Sequence, residues 1–474
     1  MERAVIGWED TNPVPEKHAF TEYLRASQGS LLLDGLDLYS IMVDGAAGNS
    51  FKSPLEVVYL PIIRDRIKRL REAFGDAIAE TGYGGEFIYT YASKANAAEE
   101  VIRTILSTGV NLEISSWVDV EIASHMRERG LLGDDRLVIS NGFKQPGSTY
   151  AEKLLQLQEL RGNVIPVIED PVELKTFIDS GMQFDVGLRL KSYGKFADVD
   201  AMDAGNSRFG MDISALMEAA ATIEKHPNLK LRLFHAMVGS QITDAGEFVD
   251  RLTPAIEVYA RLREQYDSLK IFDFGGGVPV QQTLDFTFDY KKLASLLLQK
   301  IGQICGLRGV PLPDVMGEMG RYTAAEHGAH IFKVAAVKDN KSDLPWYVIN
   351  GSIMTSFPDT WALGENFIVL PLNHLDQPFQ QVQLGGITCD SDDIFPSKRS
   401  KAKLYLPKFQ DHLYVGFFNI GAYQEMLGGA GGSKHCVIPE ADELVVDKSG
   451  DGSFEFVKLN GQTSQHVLRN LGYR

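Results

Sequence analysis

A (β/α)8 barrel of the TIM type, followed by a mostly antiparallel β domain, is the fold this sequence predicts. Three observations predict it. Short apolar runs alternate with helical patterns over about 250 residues, which is how a parallel barrel reads,. Near residue 332 the alternation stops, and short β-rich runs split by Gly, Pro, Asp and Asn take over,. The Gly-rich turn that opens a doubly wound nucleotide-binding sheet is missing after the first run,.

The chain accordingly divides into an N-terminal segment, 1–57, expected to pack in part on the β domain; a barrel, 58–332; and the β domain, 333–474. In the first, Gly35–Tyr39 suits a strand or loop, and Gly45–Ser50 is a small-residue loop. Leu60–Phe74 is amphipathic, with Ile62, Ile63, Ile67, Leu70 and Phe74 near helical spacing,. Barrel strands are expected at Phe87–Tyr91, Val110–Ile114, Leu137–Ser140, Val164–Ile168, Phe184–Leu190, Leu231–Met237, Ile271–Phe274 and Val315–Glu318. Helical patterns fall between most of them. Gly109 and Gly130 stand where helix C-caps belong, and Ser116 with Asp119 resembles a capping box,. Beyond 332, strands are expected at Trp346–Ile349, Phe367–Leu370, Gln381–Ile387, Lys403–Leu406, Leu413–Phe418, Glu443–Val446 and Phe454–Leu459.

Composition narrows the function classes. The 474 residues are 44% hydrophobic and 23% charged, ordinary for a globular chain with a large core,. A net charge of −16 and a pI near 5.2 repel phosphate backbones, so nucleic acid is not an expected partner,. Cys305, Cys389 and Cys436 are far apart and odd in number. They make neither a metal spacing nor a disulfide framework, and they point to a reducing cytoplasm. Met1–Pro15 lacks the pattern of a signal peptide, and no apolar run approaches the roughly 18 residues of a membrane span,.

In a parallel barrel, chemistry gathers at the C-terminal ends of the strands. That rule alone selects Lys94 after strand one, Glu113 ending strand two, Asn141 after strand three and Arg189 late in strand five. It adds Met237, Gly239 and Ser240 at strand six, Asp273 and Gly275-Gly276-Gly277 at strand seven, and Glu318 and Arg321 at strand eight. A glycine triplet after a strand is either a flexible turn or a nest of free N–H groups for a phosphate. The hydroxyl of Ser240 on the neighbouring strand end favours the second. A lysine, a phosphate nest and a barrel-end carboxylate together describe a pyridoxal phosphate site: the lysine bonds the cofactor aldehyde, and the carboxylate keeps the ring nitrogen protonated.

Longer motifs carry a family resemblance. Tyr91-Ala92-Ser93-Lys94-Ala95-Asn96, Asp273-Phe274-Gly275-Gly276-Gly277 and Glu318-Met319-Gly320-Arg321 resemble the lysine, phosphate and Glu-Pro-Gly-Arg motifs of the fold type III (alanine-racemase-fold) pyridoxal-phosphate decarboxylases of basic amino acids. Asn141–Lys144, Ser207–Gly210, Ser356–Trp361, Ile387–Asp392 and Phe417–Glu425 resemble the biosynthetic arginine decarboxylase branch. The resemblance runs from about residue 58 to about 440,.

That resemblance implies decarboxylation of a basic amino acid in polyamine biosynthesis, with arginine to agmatine and carbon dioxide first. Lysine, ornithine or a modified diamino acid stand as alternatives. It implies pyridoxal 5'-phosphate as cofactor and Lys94 as the residue bonded to it. Gly275, Gly276, Gly277, Ser240 and Tyr423 would hold the phosphate, Glu318 the ring nitrogen, and Glu113, Arg189 and Arg321 would lie near by. Cys389 would protonate the carbanion, with Asp390 and Asp392 facing the substrate's distal cation. In the family the Cys389 and Asp390 positions reach into the other subunit, so a homodimer is implied. A non-catalytic, decarboxylase-like regulator is the remaining alternative, and retention of the lysine, the cysteine and the glycines argues against it.

Three departures stand out. The family has a ring-stacking histidine two residues before the Gly-Ser pair, whereas Met237 stands there and His235 lies one strand layer deeper,. A thioether packs on an aromatic ring but neither donates a proton nor carries charge, so an altered reaction type is a further alternative. The arginine decarboxylases carry a helical insert between barrel and β domain, where only Asp339–Pro345 bridges this chain. They also carry a C-terminal helical extension, and Gly428–Ser433 is glycine-rich where that branch has a more structured segment.

Overall fold

The computed structural model of the chain describes residues 4–191, 207–339, 344–428 and 435–473. Most of the expected bridge at 339–345 and of the glycine-rich segment at 428–433 lies outside these residues. The chain forms two compact units: residues 64–279 with 288–323, and residues 1–63 with 280–287 and 324–474.

The first unit holds a closed barrel of eight strands. In chain order they are Phe87–Ala92, Asn111–Ile114, Val138–Ser140, Val164–Ile168, Phe184–Leu190, Leu229–Ala236, Ile271–Asp273 and Asp314–Glu318. Each pairs in parallel with its neighbours in sequence, and the eighth closes on the first through Glu318 opposite Thr90. Strand six carries a register shift between Leu231 and Leu233, beyond which Leu233–Ala236 pair regularly with Gly187–Leu190.

Side chains fill the barrel rather than leave a pore. Ile139, Ile165, Val167, Leu233, Ile271 and Met316 form a cluster that water does not reach, and each contributes about 1.5–3 kcal/mol of burial. The strand-seven loop is held from outside. Phe274 stacks beside Phe74 and meets Phe248 edge-on, with ring centroids 6.2 and 6.1 Å away. Gly317 makes room for it, because a Cβ there would lie 2.6 Å from Phe274 Cζ. Among the helices, Ser116 caps Trp117–Glu128 by accepting the Asp119 N–H at 3.2 Å. Asp119 returns to the Ser115 N–H rather than to Ser116, so half of the expected capping box forms.

The second unit is built on a ten-stranded sheet. Gly328–Lys338 lies at its centre and pairs antiparallel with Leu55–Tyr59, Trp346–Ile349 and Tyr414–Phe418. Two pairings are parallel: Leu55–Tyr59 with Asp442–Lys448, and Trp346–Ile349 with Phe379–Gly385. The sheet is therefore mixed. The N-terminal strand enters between elements far along the chain, and short-range patterning cannot specify such a direction. Leu24–Ser27, Ser30–Leu33 and Leu36–Asp37 make a separate three-stranded meander.

Candidate active site

Lys94 leaves the first barrel strand on a single 3-10 turn, Ser93–Ala95. Two bonds set this turn: the Tyr91 hydroxyl donates to Asn96 O at 2.8 Å, and Asn96 Oδ1 accepts the Ala98 N–H at 3.0 Å. Ser93 and Ala95 are buried while Lys94 is exposed, so the amine is presented at the strand ends. Gly320, at the end of strand eight, packs on this turn; a Cβ there would lie 3.0 Å from that of Ala95.

Two buried carboxylates face Lys94. Glu113 is the last residue but one of strand two, Glu318 ends strand eight, and one side chain joins them. The Asn141 amide nitrogen lies 2.9 Å from Glu113 Oε1 and 2.7 Å from Glu318 Oε1. Burial, and then the charge of Glu318, push the Glu113 carboxyl up to about 8. Burial would raise Glu318 too, but His235, Lys94 and Asn141 outweigh it and hold that carboxyl down at about 2. One carboxyl is thus a proton carrier and the other a fixed anion, as two close carboxyls sharing a site require.

The second half of the site is a backbone cradle. Gly275 and Gly277 have φ of +67° and +89°, values that favour glycine. A Cβ on Gly277 would fall 2.1 Å from Gly239 O, and one on Gly275 2.9 Å from Met237 Sδ. Met237 therefore packs on the glycine loop. Ser240 is exposed just beyond it, and Arg321 is half-buried on the helix that follows strand eight.

Beneath the cradle lie His235 and Asp273, opposite one another in the strand register. His235 Nε2 lies 3.5 Å from Glu318 Oε2, and its Nδ1 is buried without a partner. Burial pulls the imidazole below its ordinary range, and burial with the Glu318 charge lifts the Asp273 carboxyl well above the ordinary carboxylate range. His235, Asp273 and Glu318 could together hold a metal ion by distance.

Arg189 stands opposite His235 in the strand register. Its guanidinium pairs with Glu169 at 2.8 Å and lies over the Phe209 ring at 4.8 Å. Lys144 is wholly buried, 3.0 Å from Glu173 and 2.7 Å from Val167 O, and it anchors the loop that carries Asn141. Sequence reasoning names Asn141 as a strand end without a role, and passes over Glu169 and Glu173. The signal for Asn141 is its place in the ring of strand ends.

The remaining expected residues belong to the second unit. Cys389 is exposed. Asp390 Oδ2 lies 3.0 Å from His435 Nε2, and Asp390 Oδ1 accepts the Asp392 N–H at 2.8 Å. Asp392 itself pairs with Lys398 at 2.9 Å. Tyr423 is half-buried with φ of +69°. Its neighbour Gln424 is fixed by Asp359 at 2.7 Å.

Residues 63–325 match the family model of the pyridoxal-binding domain of the pyridoxal-dependent decarboxylases. The chain is 23% identical to the biosynthetic arginine decarboxylase of Citrifermentans bemidjiense, over 91% of this chain and 87% of that one. Its fold is similar to that of the biosynthetic arginine decarboxylase of Campylobacter jejuni, with a TM-score of 0.81 at 22% identity, covering 96% and 89% of the two chains. The diaminopimelate decarboxylase of M. jannaschii is as similar, with a TM-score of 0.80 at 20% identity over 95% and 98%. No described helix is long and apolar enough to cross a membrane.

Proposed function

The chain belongs to the pyridoxal-dependent decarboxylases, and from that premise we propose that it decarboxylates a basic amino acid, with L-arginine to agmatine and carbon dioxide as the first candidate. Its cofactor is pyridoxal 5'-phosphate. The observation that carries the reading is the convergence of exposed Lys94 with the Glu113–Asn141–Glu318 unit. The glycine cradle, which a Cβ would obstruct, suits a phosphate, and the ionised Glu318 suits a protonated ring nitrogen,.

When bound, the cofactor supplies the electron sink into which the carboxylate bond breaks. On this reading Lys94 is the residue bonded to it. Glu318 keeps the ring nitrogen charged. Glu113, holding a proton near neutral pH, serves as an acid or base beside Lys94,. Gly275, Gly276, Gly277, Ser240 and Tyr423 hold the phosphate. Cys389 supplies the proton that replaces the lost carboxylate, since a thiol is a competent donor near neutral pH. Asp390 and Asp392 receive the distal cation.

The same reading makes the active unit a homodimer in which Cys389 and Asp390 serve the partner's barrel. Support comes from Trp117, Phe143, Val172 and Phe209. Each follows a barrel strand, and their exposures are 47%, 53%, 49% and 39%. Four large apolar side chains left open around the barrel mouth suit a covered surface. The three unpaired cysteines suit a reducing cytoplasm,.

The test is carbon dioxide release from arginine, lysine, ornithine and diaminopimelate by the cofactor-loaded enzyme. No release from any of them would overturn the decarboxylase reading, as would a K94A variant that keeps the imine absorbance band. Met237 on the glycine loop supports a second reading, an altered reaction type. A chiral product assay run beside the carbon dioxide measurement separates the two.

A further inference from the structure

We propose that His235 is the positioning residue of Glu318, fixing from inside the barrel the carboxylate that faces the cofactor's ring nitrogen. The inference rests on the reading of Glu318 as that partner.

Three buried carboxyl groups, Glu113, Asp273 and Glu318, stand at or next to the ends of neighbouring or near-neighbouring strands. In so small a dry space one of them ionises far more cheaply than two. For the site to work, the anion must be Glu318. Asn141 does not select it, because its amide nitrogen serves Glu113 and Glu318 alike, at 2.9 and 2.7 Å. Asp273 Oδ1 is taken by the Gly275 N–H at 2.8 Å. The group that breaks the tie is His235, whose Nε2 faces Glu318 Oε2 at 3.5 Å.

The geometry gives Glu318 one donor for each oxygen: Asn141 on Oε1 and His235 on Oε2. A carboxylate met at both oxygens is fixed in place, with the Asp273 carboxyl beside it. With Nδ1 bare, the imidazole offers an N–H at Nε2, the nitrogen that faces Glu318,. Gly275 keeps this contact open, since a Cβ there would lie 3.3 Å from His235 Nε2 and 2.9 Å from Met237 Sδ. Met237 fills the strand end with a group that has no proton to give. The hydrogen-bonding work thereby falls to the histidine one layer below, which acts on the ring nitrogen through Glu318.

The experiment titrates cofactor-free H235L, H235Q, E318Q and the H235L/E318Q double variant with pyridoxal 5'-phosphate, following affinity and the position of the bound absorbance band. A parallel titration uses the 1-deaza analogue, which carries carbon in place of the ring nitrogen. H235L is expected to weaken pyridoxal phosphate at least about tenfold and to move the band as E318Q does. H235Q, whose amide N–H reaches the place of Nε2, should recover most of both. In the E318Q background H235L should add little, and it should leave the affinity for the deaza analogue near the parent's. Equal losses for the two cofactors, full additivity, or unchanged binding would overturn the proposal. If H235L does not fold, H235M makes the same comparisons with the same overturning outcomes. If E318Q binds and absorbs like the parent, the reading of Glu318 itself fails, whatever H235L does.

Discussion

Glu113 and Glu318 are bound to opposite sides of one amide nitrogen, that of Asn141, yet they sit in opposite protonation states. This has a consequence for stability. The folded pKa of Glu113 is raised to about 8 from an unfolded value near 4.5, so between those two pH values the folded protein binds more protons than the unfolded chain. Stability therefore falls as pH rises through that window. Glu318 is shifted the other way, and its contribution is present above its unfolded pKa and lost as pH falls toward about 2. The prediction is that E113Q, which cannot ionise, flattens the decline. Denaturant unfolding of the cofactor-free protein at pH 5 and pH 8 should show E113Q ahead by about 1–3 kcal/mol at pH 8 relative to its standing at pH 5. A parent and variant that run parallel between the two would rule this out.

Gly277 tests the cradle. A methyl group there meets Gly239 O at 2.1 Å on a backbone with φ of +89°. Both terms oppose alanine, and the backbone term alone is about 1–2 kcal/mol. G277A should lower the melting temperature modestly and weaken pyridoxal phosphate by an order of magnitude or more, on the scale where about 1.4 kcal/mol is tenfold. Alanine at Gly450, which has nothing within 4 Å of a Cβ, is the control and should change neither.

How much of this was legible in the sequence depends on how local each feature is. Val164–Ile168 forms as its apolar run predicts, because a strand buried on both faces writes a continuous apolar word. Leu55–Tyr59 gives no hint that it pairs with Gly328–Lys338 and Asp442–Lys448. Those partners lie hundreds of residues away, and no short window holds the information. The same division runs through the site. The rule of strand ends finds Lys94, Glu113, Asn141 and Glu318. The sharing of one amide by two carboxyls is a fact about three strands at once. The contact of His235 with Glu318 joins strands six and eight, which are not neighbours in the barrel, and no periodicity announces it.

Lys144 and Glu173 give a third prediction. Both side chains are 0% exposed and 3.0 Å apart. Removing one charge strands the other in the dry interior, which costs about 3–5 kcal/mol, whereas removing both is often close to neutral. K144M should be strongly destabilised, and K144M/E173Q should regain much of the loss. Chemical denaturation of the two variants measures it. Because the pair anchors the loop of Asn141, K144M should also weaken pyridoxal phosphate binding at temperatures where it remains folded.

Asp390 and Asp393 stand three residues apart and should separate cleanly. Asp393 is buried and accepts four hydrogen bonds: from Ser352 Oγ at 3.1 Å, the Met354 N–H at 3.0 Å, and the Thr388 N–H and hydroxyl at 3.0 and 2.6 Å. It ties the Ile353–Ser356 turn to the loop bearing Cys389. D393A leaves those donors without an acceptor, at a cost of about 1–3 kcal/mol for each group left buried and unpaired. Its melting temperature should fall by several degrees. Asp390 is more open, with partners on the loop surface. On the proposed reading D390A should keep its melting temperature within about a degree, since surface pairs contribute little. Its KM for the basic amino acid should rise by one to two orders of magnitude with kcat much less affected, the signature of lost distal binding. A D390A enzyme with unchanged KM would remove Asp390 from the substrate site, while leaving the structural role of Asp393 to be judged on its own melting curve.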